Sequence, residues 1–286
     1  MIVVTGAAGF IGSCLAECLE EDILCCDPAD SQMLTPTACL EYLKNNDVAC
    51  VYHLGAISQT TVTDAAAVVK NNVLFSSQLL EACIKKNIPF VYASSASVYG
   101  AIEGPHREEQ ELTPVNYYAI SKAAFDMIAL QKIKDNPAAR IVGLRYFNVY
   151  GHREHNKDDM ASPVHKFIQQ ARLGGEIRIF EGSDGFKRDF VHIEDVVAMT
   201  KAAASLDASL SGIYNVGSGR PRSFREVAEI IGQYLNAKII EIPFPDHLEG
   251  KYQRHTQSDN TKLSAAGHPR VRISLEDGIR KVLKRI

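Results

Sequence analysis

Residues 1–12 read MIVVTGAAGFIG, and the fold is decided there. The β-branched run Ile2, Val3, Val4, Thr5 stops at glycines spaced three apart, Gly6, Gly9 and Gly12, and an amphipathic segment from 11 to 19 follows. The spacing predicts a strand, a tight turn and a helix. Gly6 permits the sharp turn, Gly9 lets backbone N–H groups approach a diphosphate, and Gly12 lets the helix pack on the strand, so that an anion meets the helix N-terminus. A strand-to-helix turn can use glycine with no ligand at all, but the context here favours a dinucleotide. Asp27 adds to that context. It closes the next apolar strand, 23–26, about where an acidic side chain reaches the adenosine ribose hydroxyls.

Composition narrows the class. A chain of 286 residues at 46% hydrophobic can bury a substantial core, in one large domain or two modest ones. A formal charge of −3, no Trp, no basic tail and no aromatic-basic interleaving argue against a nucleic-acid partner. The chain opens on a strand without a charged leader, and no apolar stretch approaches the roughly 18 residues of a membrane span, so a cytoplasmic protein with no membrane partner is expected. All seven cysteines lie between Cys14 and Cys83. Cys25 and Cys26 are strand neighbours facing opposite ways, which argues against a disulfide between them. CxxC…CxxC spacing is absent, no metal is expected, and the odd count reads as buried small hydrophobes.

Further apolar runs at 49–53, 89–93, 140–145 and 212–216 alternate with helical patterns. This rhythm predicts an α/β fold: a Rossmann-type doubly wound parallel sheet with a smaller C-terminal α/β substrate-binding lobe. The dinucleotide-binding domain is expected over 1–151, with 189–216 returning to it, and the lobe over 152–188 and 217–286. The long helix predicted over 63–86 carries Asn71 and Asn72 in its interior, where Asn is unfavourable, so one of them is expected to hydrogen-bond a neighbouring loop. The second βα unit is short. No Lys or Arg stands between Asp27 and Lys44, and Asp27 would repel a 2′-phosphate, so NAD is expected over NADP.

Ligands of parallel sheets sit beyond the carboxyl ends of the strands, and the fourth strand ends in Ser94, Ser95, Ala96 and Ser97. Serines are also ordinary turn residues. The next helix supplies a second clue, because Tyr118 and Lys122 are four apart on one face. An ammonium near a phenol favours phenolate, lowering the Tyr118 pKa toward the range of an acid/base group. Beyond Gly151 the rhythm weakens. His152 and His155 stand beside acids in a polar run, 152–159, which reads as a mobile solvated loop in preference to a metal site.

In this order along the chain, the pieces resemble the extended, sugar-nucleotide branch of the short-chain dehydrogenase/reductase family. Its Gly-x-x-Gly-x-x-Gly turn matches Gly6, Gly9 and Gly12, and its Ser…Tyr-x-x-x-Lys set matches Ser95, Tyr118 and Lys122. The resemblance implies hydride transfer to a tightly bound NAD(P). Tyr118 would exchange a proton with a sugar hydroxyl, Lys122 would hold the nicotinamide ribose and acidify Tyr118, and Ser95 would hydrogen-bond the reacting oxygen. The strings RYFNVYG-x-RE-x-x-K-x-x-MAS, FEGS-x-x-FKRDFV and IPFPD-x-L-x-G-x-YQ-x-x-TQ are similar to the ADP-L-glycero-D-manno-heptose 6-epimerases, which act on bacterial lipopolysaccharide precursors. That similarity implies Lys157 as a second acid/base. It implies substrate contacts at Asn148, Phe180, Glu181, Gly182, Ser183, Arg188 and Tyr252, cofactor contacts at Phe10, Ile11, Asp27, Leu54, Gly55, Ala56, Asn71 and Val149, and a homo-oligomer. Two departures stand out. The lysine that members use for NADP is missing after Asp27, and Asp159 and Lys166 occupy substrate-contact positions where Ser and His are expected.

The expected activity is therefore a nucleotide-sugar epimerase working by transient oxidation and hydride return to the opposite face. Its nearest rival is a hexose-nucleotide 4-epimerase, which shares the amino-half motifs. A dehydratase would want an acidic pair where Ala96 and Ser97 stand. A nicotinamide-binding sensor without catalysis would need none of Ser95, Tyr118, Lys122 and Lys157.

Overall fold

The structure is a computed structural model and describes residues 1–245 and 253–285. Six strands form its central sheet: β1 (Ile2–Thr5), β2 (Ile23–Cys26), β3 (Cys50–His53), β4 (Phe90–Ser95), β5 (Ile141–Tyr146) and β6 (Gly212–Val216). All pairings are parallel, in the order β6-β5-β4-β3-β1-β2. Helices cover both faces, so interior strands such as β1, β3 and β5 are buried along their whole length and read as continuous apolar runs. The chain winds outward from β1 to β2, then returns to place β3 on the other side of β1. That reversal opens a crevice at the carboxyl ends of β1 and β3, the place where doubly wound sheets take ligands.

Helix α1 (Phe10–Cys18) follows β1, and α2 (Pro36–Asn45) follows β2, capped by Thr35. No described strand lies beyond β2. The second βα unit is as short as its sequence suggests, and the chain closes the edge only with Leu34, which bridges to Cys26. The next helix, α3, runs from Ala65–Val68 through a π-helical stretch, Val69–Phe75, into Ser76–Lys85. Wider π turns accommodate an inserted residue and collect at functional sites, and this one contains buried Asn72. Helix α4 (Tyr117–Asp135) starts at Asn116, whose side chain accepts from Ala119 N.

Four apolar clusters divide the interior of the described residues, the smallest around Val98, Tyr99 and Phe147. One joins β1 and β3 to α1 and to helix α5 (Ile193–Ala203), and a second joins the other sheet face to α2, α3 and α4. The third lies apart from the sheet. It includes Val164, Ile168, Ile177, Val227, Ile231 and Ile279, from helices Pro163–Gly174, Phe224–Leu235 and Leu275–Arg285 and a two-stranded parallel ribbon, Glu176–Phe180 with Lys238–Ile242. The polar run after Gly151 keeps Arg153 and His155 exposed but is not the open loop its composition suggests. It turns into a short 3-10 helix, Glu154–Met160, and Glu154 is fully buried. Cysteine burial is mixed: Cys18 is exposed and Cys25 partly so, the other five are buried, and all seven are free thiols. No described helix is long and apolar enough to cross a membrane.

Candidate active site

The glycine turn is shaped by contact with the loop after β3. Gly6 has φ +70°, and a Cβ there would stand 2.5 Å from Gly55 N; one on Gly12 would stand 2.0 Å from Gly6 O. Only glycine fits either place. Gly9 caps α1 in extended conformation without a side-chain hydrogen bond, leaving the first helical N–H groups, from Phe10 and Ile11 onward, aimed into the crevice. Asp27 stands at the end of β2, its carboxylate accepting from Ala8 N at 3.1 Å and Ala29 N at 3.0 Å. Backbone donors, a carboxylate and a turn with no room for side chains suit the diphosphate and ribose of a dinucleotide. Leu54 and Gly55 complete the wall, donating from N to Thr5 O and Thr5 Oγ1.

Beneath this wall runs a buried polar chain. Thr5 Oγ1 lies 2.6 Å from His53 Nδ1, His53 Nε2 lies 2.7 Å from Ser76 Oγ, and Ser76 Oγ donates to Asn72 O. Because Thr5 Oγ1 already accepts from Gly55 N and Ser76 gives its proton to Asn72, one arrangement satisfies every group: Thr5 donates to Nδ1, and His53 carries its proton on Nε2. Burial, assisted by the Lys122 charge, pulls the His53 pKa down to about 3 and keeps the ring neutral. Asn72 then clasps the backbone of Ile57, accepting from its N at 2.8 Å and donating to its O at 2.9 Å, and donates to Ser121 Oγ at 3.0 Å. Asn72 is thus the interior asparagine that bonds a neighbouring loop. Asn71 turns back and donates to Ala67 O.

Ser121 belongs to α4, and its hydroxyl donates to Tyr118 O. The Tyr118 and Ser95 hydroxyls lie close enough to act on one another, and Ser95 Oγ accepts from Ser97 N. Lys122 donates from Nζ to Ala93 O at 2.7 Å, 5.9 Å from the Tyr118 ring centroid. The structure therefore brings Ser95, Tyr118 and Lys122 together. The electrostatics differ from the simple expectation that Lys122 acidifies Tyr118. Burial raises the Tyr118 pKa, against the pull of the Ser95 hydrogen bond, and burial lowers Lys122 to about 8, against the Asp126 charge. Desolvation dominates at both groups because it penalises the charged form of each. Behind Lys122, buried Asp126 accepts from Tyr92 Oη, Ser94 Oγ and Arg145 Nε at 2.9, 2.9 and 2.8 Å.

Lys157 approaches from the far side of the chain. Its Nζ lies 4.9 Å from the Phe10 ring centroid and 3.5 Å from Glu154 Oε2, which sets it against the start of α1. Val149 follows Asn148 in the short strand Asn148–Tyr150, and the Asn148 side chain accepts from Thr256 Oγ1. Phe180 closes the ribbon strand and packs edge-on against Phe244; Glu181 N donates to Ile242 O; Gly182 has φ +77°; and the Ser183 hydroxyl donates to Phe180 O. Arg188 is buried over the Phe224 ring and donates to Gln253 O. Lys166 is exposed on Pro163–Gly174. Tyr252 and the Asp159 side chain lie outside the described residues.

Several polar residues here escape a reading of the sequence. Thr5, His53, Ser76 and Asp126 look like ordinary members of apolar elements, and only their placement in consecutive elements around one crevice hints at a network. Buried Asp189 is another: it accepts from Ser218 N, Ser218 Oγ, Gly219 N, Ser258 N and Ser258 Oγ, tying two distant turns to the strand end beside Asn148.

The model of the NAD dependent epimerase/dehydratase family matches residues 2–217. The chain is 41% identical to the ADP-L-glycero-D-manno-heptose-6-epimerase of Alkalilimnicola ehrlichii over 312 residues, covering 99% of this chain and 96% of that protein. It is 39% identical to the protein of the same name from Brachyspira hyodysenteriae, covering 98% and 96%. Among solved structures, the Helicobacter pylori ADP-L-glycero-D-manno-heptose-6-epimerase superposes with a TM-score of 0.87 at 31% identity, covering 99% of this chain and 95% of that one. With the glycine turn, the crevice and these matches in hand, the chain belongs to the NAD-dependent epimerase/dehydratase family.

Proposed function

We propose that this protein is a nucleotide-sugar epimerase that inverts the sixth carbon of an ADP-heptose, converting the D-glycero to the L-glycero configuration. The observation that supports the reading is the placing of two candidate acid/base groups, Tyr118 beside Ser95 and Lys157 against the Phe10 ring at the start of α1. Near-complete coverage of relatives named for this reaction supports it. A nicotinamide held by the glycine turn would supply the two-electron redox chemistry, as oxidant and then as reductant.

The chain's residues manage protons and geometry. Tyr118 Oη takes the proton of the C6 hydroxyl as that carbon is oxidised to a ketone, while Ser95 Oγ hydrogen-bonds the reacting oxygen. Lys122 would hold the nicotinamide ribose. Once the ketone has turned its other face, Lys157 Nζ donates the proton that completes the inverted alcohol. Two proton-transfer groups serve two faces better than one, and the hydride balance closes with no net redox. The residues expected at the substrate, Asn148, Phe180 to Ser183 and Arg188, lie on or beside the ribbon and the strand Asn148–Tyr150. This placement supports a substrate-binding lobe over 152–188 and 217–286, with 1–151 and 189–216 as the dinucleotide-binding domain.

Within the NAD(P) class, Asp27 favours NAD. It stands at the end of β2, and the nearest following cation in sequence, Lys44, is paired with Glu41 at 2.7 Å. Exposed apolar side chains on α3 and α4, among them Leu74, Ile120 and Met127 at 55%, 47% and 68% exposure, support a homo-oligomer formed through these helices. The test of the reading is direct. Purified protein should convert ADP-D-glycero-D-manno-heptose, and Tyr118→Phe should bind nicotinamide while losing turnover by about a hundredfold or more. Turnover only on hexose nucleotides would instead support the 4-epimerase.

A further inference from the structure

Glu154 has no place in the mechanism above, yet it is 1% exposed in a polar run that reads as solvated. Burying a carboxylate is costly unless its lone pairs are filled. Here they are filled: Glu154 Oε1 accepts from Gly151 N at 3.0 Å and Ser162 Oγ at 2.8 Å, and Oε2 accepts from Ser162 N at 2.7 Å. The fourth partner is Lys157 Nζ, 3.5 Å from Oε2. In a 3-10 helix residues three apart eclipse, so Glu154 and Lys157 stand on one side of the turn Glu154–Met160.

We infer that Glu154 is a positioning residue for Lys157, a buried carboxylate fixed at both ends that holds the lysine Nζ against the Phe10 ring at the start of α1. The inference rests on the reading of Lys157 as the second acid/base. Lys157 keeps 29% of its side chain exposed while Glu154 has none, so solvent screens the pair on the lysine side. What the pair supplies is order. A lysine side chain has much rotamer entropy to lose, and a partner that is itself immobile, its carboxylate locked by backbone donors from Gly151 and Ser162, removes much of that freedom before substrate arrives. The same carboxylate joins the end of strand Asn148–Tyr150 to the cap of helix Pro163–Gly174. It therefore registers Lys157 to that strand and that helix.

A double-mutant cycle on turnover of the ADP-heptose separates positioning from folding. Wild type, Glu154→Gln, Lys157→Met and the double variant are compared for kcat and KM. Expected is a fall in kcat of about ten- to a hundredfold for Glu154→Gln with KM within about twofold, and a double variant no slower than Lys157→Met alone. Losses that multiply, or a Glu154→Gln kcat within about twofold of wild type, overturn the inference. Wild-type turnover by Lys157→Met overturns the reading of Lys157 itself, and the inference with it. Ser162→Ala removes the hydroxyl from Glu154 Oε1 and from the helix cap but leaves the pair; it should lower the melting temperature with kcat nearly kept. A kcat loss equal to that of Glu154→Gln would assign the effect to the fold of the turn and overturn the inference. If Glu154→Gln is not recovered folded, Glu154→Asp, one methylene short, carries the same cycle.

Discussion

Lys122 donates from Nζ to the carbonyl of Ala93 across 2.7 Å, tying the helix that carries Tyr118 to the strand that ends in Ser95. The tie places a buried cation behind the phenol, and burial draws its pKa down to about 8. Activity that needs the charged lysine should fall as pH rises through about 8. Stability moves the other way. Between about 8 and the ordinary value of 10.5, the unfolded chain binds a proton that the folded chain does not, so the stability contributed by this group rises with pH across that window. Urea midpoints taken from pH 7 to 10 should show the rise, and Lys122→Met should flatten it.

His53 gives the acid limb. Its folded pKa of about 3 lies below the ordinary 6.5, so the unfolded state takes up a proton that the folded state refuses. Stability should be undiminished by this group above 6.5 and fall as pH drops toward 3, by on the order of 3 kcal/mol at pH 4. His53→Gln should lose stability at neutral pH, through the broken links to Thr5 and Ser76, while showing a shallower decline from pH 6.5 to 4. An unchanged slope would mean that other groups, such as His106 and His192, both drawn down to about 4 by burial, set the acid limit.

Cofactor choice should follow Asp27. Calorimetric titration should give tighter binding of NAD than of NADP, by about tenfold or more, because a 2′-phosphate beside a carboxylate meets like-charge repulsion. Asp27→Asn should narrow the difference mainly by improving NADP. Equal affinities in the wild type would contradict the assignment.

The exposed apolar side chains of α3 and α4 predict a reversible assembly of identical chains. Sedimentation velocity at micromolar concentration should give a species larger than 31.4 kDa, and Met127→Glu with Ile120→Glu should return it to the monomer with the fold intact. A monomeric wild type would leave those side chains without this explanation.

The parts of this molecule that a sequence makes legible are those with local physical causes. The turn at Gly6, Gly9 and Gly12 is a backbone demand met within twelve residues, and Tyr118 and Lys122 share a face because a helix repeats every 3.6 residues. The ends of β1, β2 and β6 are readable for the same reason. Glu154 is not, since its burial depends on donors at Gly151 and Ser162 that converge only after the turn forms. Nor is the sign of the shift at Tyr118, because the sequence states the charge of Lys122 but not the desolvation that sets the shift. His53 reads as the end of a strand; its partners Thr5 and Ser76 lie 48 and 23 residues away. The helix Leu275–Arg285 was legible in principle, with Leu275, Ile279 and Val282 at helical spacing. The ribbon strand Lys238–Ile242 was less so, being largely exposed on an edge.

The most direct measurement follows the reaction of ADP-D-glycero-D-manno-heptose in deuterated water by proton NMR, with catalytic nicotinamide and no other redox partner. Inversion at the sixth carbon is expected with its hydrogen retained, because hydride leaves and returns without meeting solvent, and with no net change in nicotinamide absorbance. Deuterium appearing at that carbon, or no inversion with either NAD or NADP supplied, would contradict it.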